Sequence, residues 1–230
     1  MKPVLSSVLG GYVAIVTAGA GYLAITAASP PALIPEINVE RINIREPDGT
    51  LRLAISDHAH MPGLIYDGRE YRHPDRPEAG MIFYNDEGSE NGGLIFNGSL
   101  KGALPTNEGS LTFDRWHQDQ TVQLVSTENG SEREAAIKIN DRPDRPMDLS
   151  RAAKLMTMPN GPAKTAALHA AGLEALPRVY LGRTPDKDSV LMLRDGTGRP
   201  RLELAVTEAG NATIRFLDQS GRVTRTIAAP

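Results

Sequence analysis

Two hydrophobic patterns divide the chain. From Val4 to Ala28 (VLSSVLGGYVAIVTAGAGYLAITAA) no charged side chain occurs, and apolar residues follow one another without a polar face. Beyond Pro35, apolar and polar residues alternate in short runs separated by turn residues. As a helix rising 1.5 Å per residue, the first stretch reaches roughly 37 Å, enough to cross a hydrocarbon core of about 30 Å. This predicts a transmembrane anchor over residues 1–29. Gly10, Ala14 and Ala18 are spaced i, i+4, i+8, with Thr17 and Gly21 beside them, a small-residue seam against which another membrane helix can pack closely. A cleaved signal peptide is the alternative, since Lys2 precedes the run and Thr26-Ala27-Ala28 ends it before Ser29. The uncharged run from Pro3 to Pro35 exceeds the usual h-region, which favours retention.

Residues 30–36 read as a stiff, proline-rich stalk. Strand-period alternation follows at Ile37 and Val39 and, after a slip of phase at Glu40-Arg41, at Ile42 and Ile44. It resumes at Leu51, Leu53 and Ile55 after the turn Glu46-Pro47-Asp48-Gly49. Asp57 to Gly80 predicts a long loop around a short strand at Leu64 to Tyr66. Strands are then expected at Met81 to Tyr84, Leu94 to Asn97, Leu111 to Phe113, Thr121 to Ser126 and Ala135 to Asn140, which completes a β-rich part over 37–147.

The period changes to helical over 148–177. Asp148 is placed to cap Leu149 to Met158, Asn160-Gly161-Pro162 ends that helix and opens another, and Leu168, Leu173 and Leu176 mark its apolar positions. From 178 to 230 a meander returns, with strands at Val179 to Leu181, Val190 to Leu193, Leu202 to Val206, Ile214 to Leu217 and Val223 to Ile227. The expected fold is mainly β, an antiparallel sandwich or barrel-like arrangement of many short strands. It carries one helical pair, and the C-terminal meander joins 37–147 in a composite domain.

Composition narrows the functions. A formal net charge of -3 and only 5% aromatic residues argue against a nucleic-acid surface, which needs a basic stripe and stacking platforms. With no cysteine there is neither a disulfide framework nor a haem-attachment motif, and no loop has P-loop spacing; no cofactor is implied. Lys2 lies before the apolar run and the next basic residue is Arg41, so the positive-inside rule places the N-terminus in the cytoplasm and the body in the periplasm of a bacterial inner membrane.

The stretch Ala79-Gly80-Met81-Ile82-Phe83-Tyr84-Asn85-Asp86-Glu87-Gly88-Ser89-Glu90-Asn91-Gly92-Gly93-Leu94-Ile95-Phe96, together with Val39 to Ile44, Leu111 to Asp114 and Arg178 to Arg183, resembles a family of uncharacterised bacterial proteins with an N-terminal apolar segment. That resemblance implies no reaction, cofactor or catalytic residue.

Three local groups carry chemistry. Asp86, Glu87 and Glu90, in the acidic turn, offer hard oxygens to a divalent cation, though off EF-hand spacing. His58 and His60 form an H-x-H pair, with Asp57 and His73 nearby, that falls short of a zinc tetrahedron. Asp114, Trp116, His117 and Asp119 bring an imidazole beside carboxylates, but no serine nucleophile sits in a G-x-S-x-G elbow. The expectation is therefore a non-catalytic, single-span accessory subunit of a multi-subunit bacterial membrane complex, respiratory or photosynthetic in kind. Its helix would dock against integral membrane subunits in the lipid bilayer. A membrane-tethered metal- or glycan-binding module is the alternative, and a hydrolase acting through His117 a third reading.

Overall fold

The computed structural model describes residues 9–20, 22, 33–71, 76, 78–159, 161–171 and 173–229. The chain divides into two compact units, Met1–Val39 and Glu40–Pro230. In the first, residues 9–20 form helix α1, and 33–39 have no regular structure. Gly10, Ala14, Thr17 and Ala18 lie on α1 and are exposed, with Thr17 donating its hydroxyl to the Val13 carbonyl at 2.8 Å. Gly21 and most of the remaining apolar stretch lie outside the described residues. Among the described residues no helix is long and apolar enough to cross a membrane.

The second unit holds the strands β1 (Arg41–Arg45), β2 (Leu51–Ser56), β3 (Leu64–Tyr66), β4 (Arg69–Tyr71), β5 (Ala79–Tyr84), β6 (Glu90–Lys101), β7 (Leu104–Asp114), β8 (Gln120–Asn129) and β9 (Glu132–Asp141). Helices α2 (Leu149–Met156) and α3 (Pro162–Ala171) follow, and then β10 (Leu176–Arg183), β11 (Ser189–Arg194), β12 (Pro200–Val206), β13 (Ala212–Leu217) and β14 (Val223–Ala228). Twelve strands make one antiparallel sheet in the order β1-β2-β5-β6-β7-β8-β9-β10-β11-β12-β13-β14, and β3 pairs with β4 in a separate hairpin.

The β-rich antiparallel character and the helical pair agree with the alternation and are consistent with a sandwich, its strands joined in one continuous ladder. Over one end of the sheet lies the β3–β4 hairpin. Its Ile65 packs with Leu51, Ala54, Ile82 and Tyr84, and Met61 and Ile95 flank this cluster.

Several boundaries also differ from expectation. Residues 98–110 continue β6 and β7 although Gly98, Pro105, Asn107 and Gly109 are poor strand formers, because the ladder to β8 carries them: Thr106 pairs with Asn129 and Gly109 with Ser126. Leu176 begins β10 and Leu173 lies beyond α3, so neither belongs to the second helix. Ile37 and Val39 precede the first strand. Asp148 caps α2 as expected, its carboxylate accepting from the Arg151 amide at 3.0 Å.

One turn recurs. At Glu46, Asn85, Arg115, Thr184, Asp195, Thr207 and Asp218, residue i donates to the carbonyl of i+4 and the amide of i+3 returns to the carbonyl of i. In six of these seven, residue i+3 is left-handed: Gly49, Gly88, Lys187, Gly198, Gly210 and Gly221. This is a type I turn closed by a bulge, and it accounts for the register shifts at Arg45, Tyr84, Asp114, Arg194 and Leu217. A side-chain bond from Ser220 heads the interactions that hold the Asp218 carboxyl down to about 2.

The register has a consequence for the faces. Successive pairings align Ile42, Ile55, Met81, Leu94, Leu111, Leu124, Ile137, Leu181, Leu191, Leu204, Ile214 and Ile227 in one row, one large aliphatic side chain from every strand of the sheet. Two residues along each strand a second row runs on the same face through Leu53, Phe83, Gly92, then Phe113, Val122, Ile139, Val179, Leu193, Leu202 and Phe216. At about 4.8 Å per strand this apolar stripe is roughly 53 Å long. The opposite face carries Asn43, Ser56, Thr112, Gln123, Lys138, Glu203 and Arg215, alternating with the small core beneath the hairpin.

Candidate functional site

Two features stand out on this frame, a cluster of side chains gathered by three turns and the apolar stripe itself. The β3–β4, β5–β6 and β7–β8 turns bring Asp67, Glu87 and His117 together. In the β5–β6 turn the Asn85 side-chain oxygen accepts from the amides of Glu87 (3.0 Å) and Ser89 (2.9 Å), which fixes the loop that presents Glu87. The β7–β8 turn departs from the other six, since its left-handed residue is His117, at φ 49°, one position earlier. Asp67 is left-handed as well, at φ 50°.

The imidazole of His117 stacks on Trp116, with ring centroids 3.9 Å apart and an interplanar angle of 10°, and meets the Tyr66 ring at 4.4 Å. Its Nε2 lies 2.8 Å from Glu87 Oε2, 3.3 Å from Asp67 Oδ1 and 3.5 Å from Ser89 Oγ. Trp116 Nε1 donates to the same Glu87 oxygen at 3.0 Å. One ligand atom from each of Asp67, Glu87 and His117 falls within 4.8 Å of the others.

This arrangement is not a hydrolytic triad. Serine and carboxylates all approach the same imidazole nitrogen, whereas a general base needs the acid on its other nitrogen. Ser89 is also buried, and its Oγ already accepts from the Asp67 amide at 2.8 Å. Two carboxylates and an imidazole do make a donor set that suits a divalent transition ion.

Of the site residues expected from sequence, Glu87 and His117 meet in this cluster with Trp116 stacked on the imidazole, and the others are dispersed. Asp86 pairs with Arg52 at 2.5 Å and Glu90 with Arg76 at 2.6 Å. His60 pairs with Asp57 at 2.9 Å and Glu40 at 3.4 Å, and His58 sits exposed on the same loop. His73 lies outside the described residues. Asp67 was not expected, although Asp67-Gly68 between Leu64-Ile65-Tyr66 and Arg69-Glu70-Tyr71 is a hairpin signal.

Behind the cluster the Arg76–Glu90 pair is partly buried, and Arg76 also donates to the carbonyls of Pro62 and Gly63 at 3.1 Å, tying the loop to the sheet. Glu90 Oε2, Asp114 Oδ1 and the Tyr84 hydroxyl have no hydrogen-bond partner there. Burial raises the Glu90 carboxyl; burial first, and then the charges of Glu90 and Asp119, push Asp114 up to about 8. On the other side, Arg115 donates to the carbonyls of Arg142 and Pro143, Arg142 pairs with Asp119 at 3.0 Å, and the Met147 amide donates to the His117 carbonyl at 2.8 Å. The segment Arg142-Pro143-Asp144-Arg145-Pro146-Met147 is thus fastened to the β7–β8 turn.

The apolar stripe is open to solvent. Phe96 is 58% exposed, Leu124 53% and Leu181 50%, and most exposed large hydrophobic residues of the sheet fall on this face. So many exposed apolar side chains sharing one face are unlike the scattered single ones usual on a monomer. Between β6 and β10 the stripe dips into a groove of about 470 Å³ lined by Leu94, Phe96, Leu111, Leu124, Ile137 and Leu181. Its floor is low because Gly109, Ser126 and Ala135 occupy the neighbouring row. Compared with protein-family models and with curated proteins, the chain matches none.

Proposed function

We propose that the chain is a non-catalytic docking subunit of a multi-subunit bacterial membrane assembly. Its sheet offers an interaction surface, and its N-terminal apolar segment serves as a single-pass inner-membrane anchor whose Gly10/Ala14/Ala18 seam meets integral subunits, with the sheet in the periplasm. The observation that carries the docking role is the row of twelve apolar side chains, one per strand, of which Leu124, Ile137, Leu181, Leu204 and Ile227 are exposed and the rest half-buried. Such a row is costly in water and gains its free energy only when covered.

The test is extraction of the full chain from its own membranes in mild detergent, followed by affinity purification and mass spectrometry. The expected result is a discrete assembly, lost in Leu124→Glu/Leu181→Glu while the chain stays in the membrane fraction. Recovery of the unaltered chain as a free monomer would contradict the reading.

The Asp67–Glu87–His117 cluster favours a second reading, a metal-binding module. Titration with Zn²⁺ or Mn²⁺ should then raise the melting temperature in a saturable way that His117→Ala abolishes, because a ligand bound only by the native state stabilises it. An unchanged melting temperature at millimolar metal would dismiss it.

A further inference from the structure

Resting on the metal-binding reading of the three-turn cluster, we infer that the ion is a clamp: held by Asp67, Glu87 and His117, a divalent cation of the Zn²⁺ class locks the tip of the β3–β4 hairpin to the sheet. The hairpin needs such a fastening. It is two strands of three residues with no ladder to the main sheet, and a hairpin of that length does not hold itself in water. Its base is tied down, since Arg76 joins the carbonyls of Pro62 and Gly63 to Glu90, and Ile65 packs in the core cluster. Its tip is the Asp67-Gly68 turn, both residues left-handed at φ 50° and 68° as a two-residue hairpin turn requires. There the Asp67 amide donates to Ser89 Oγ at 2.8 Å, the Tyr66 ring meets His117, and the Asp67 carboxylate reaches the same imidazole.

Charge and distance both point to an ion at this tip. Oxygens of Glu87, Asp67 and Ser89 face the single nitrogen Nε2 at 2.8, 3.3 and 3.5 Å, and that nitrogen has at most one hydrogen to give. Two carboxylates are thus drawn to one donor, and their like charges oppose closure of the hairpin. A divalent cation offsets both. Donor atoms about 2.1 Å from a tetrahedral ion stand roughly 3.4 Å apart, so the ion enters as the Nε2 proton leaves to solvent, with shifts of about half an ångström. The supports that a metal site uses are in place as well. Trp116 donates its indole N–H to the Glu87 oxygen that faces Nε2 and stacks on the imidazole, and Asn85 fixes the loop that carries Glu87. The imidazole is buried, while Asp67 and Glu87 are open to solvent and give the ion its way in.

Trp116 is the only tryptophan of the chain, so its emission reports binding at the cluster directly. The full chain is titrated with Zn²⁺, and amide hydrogen exchange is followed with and without the ion in the hairpin, residues 64–71, and in β12 of the distant meander. The expected result is a saturable change in Trp116 emission together with exchange in the hairpin slowed about tenfold or more, and β12 slowed far less. Asp67→Asn should abolish the slowing, since asparagine keeps the left-handed turn and removes the hairpin's only charged ligand. Two outcomes overturn the clamp and leave the metal reading standing: an emission change with the hairpin and β12 slowed alike or not at all, or slowing that persists in Asp67→Asn. Emission unchanged at millimolar Zn²⁺ removes both.

Discussion

The two ends of the sheet were built from the same alternation and have different fates. At β2, β5 and β6 the β3–β4 hairpin lies over one face, and Ala54, Ile82 and Tyr84 are 0%, 2% and 4% exposed. From β10 to β14 nothing of this kind is inserted, and every residue of β14 is exposed. The difference teaches that a pleat decides which side chains share a face, while coverage comes from what is inserted between strands. The hairpin is spliced between β2 and β5, neighbours in the sheet, and supplies the lid that the meander lacks.

Breaking the covered end should have the largest effect. Ile82→Ala removes a fully buried side chain from a cluster with few others, and a loss of about 2–5 kcal/mol in urea-monitored unfolding is expected; a loss below about 0.5 kcal/mol would mean that the hairpin is no lid.

The partly buried carboxyls behind the three-turn cluster make the next prediction. Asp114 titrates at about 8 in the fold against an ordinary 3.8. The native state therefore binds the extra proton between those values, and stability falls as pH rises through the window. Asp114→Asn should flatten this dependence, removing roughly 2–4 kcal/mol of the difference between pH 4 and pH 9 in a pH series of unfolding curves. A pH profile identical to that of the unaltered chain would show that Asp114 is ionised at neutral pH.

Smaller effects sharpen the contrast from the open side. A Cβ on Gly109 would lie 3.0 Å from the Phe96 ring. Gly109→Ala should displace that ring and narrow the groove, costing about 1 kcal/mol or less in the single chain while weakening association more. Leu124→Ala should be nearly silent in dilute, dissociated protein, within about 1 kcal/mol, because the side chain is already half in water there. A cost at Leu124 equal to that at Ile82 under those conditions would erase the distinction between covered and open side chains.

Much of the strand pattern was legible beforehand, because alternation at Leu51-Leu53-Ile55, Val190-Leu193 and Leu202-Val206 is strong and the turn residues are explicit. The extension of β6 and β7 through Gly98, Pro105 and Gly109 was not, since long-range pairing overrides local preference there. The single-sheet topology was hidden too, because alternation states which residues share a face and is silent on what faces them. Of the three-turn cluster, His117 and Glu87 were recognised separately, each with other partners in view. Their meeting depends on the closure of hairpins thirty residues apart and on a left-handed histidine that no local motif announces.

The account turns on whether the apolar face is covered in the living cell. Cysteine at Leu124, half in water in the single chain, and cysteine at Thr226 on the opposite face can be compared by their rates of reaction with a soluble thiol reagent in intact cells. The account predicts that Leu124→Cys reacts far more slowly than Thr226→Cys and becomes reactive once denaturant separates the chains. Equal rates at the two positions before any denaturant is added would contradict it.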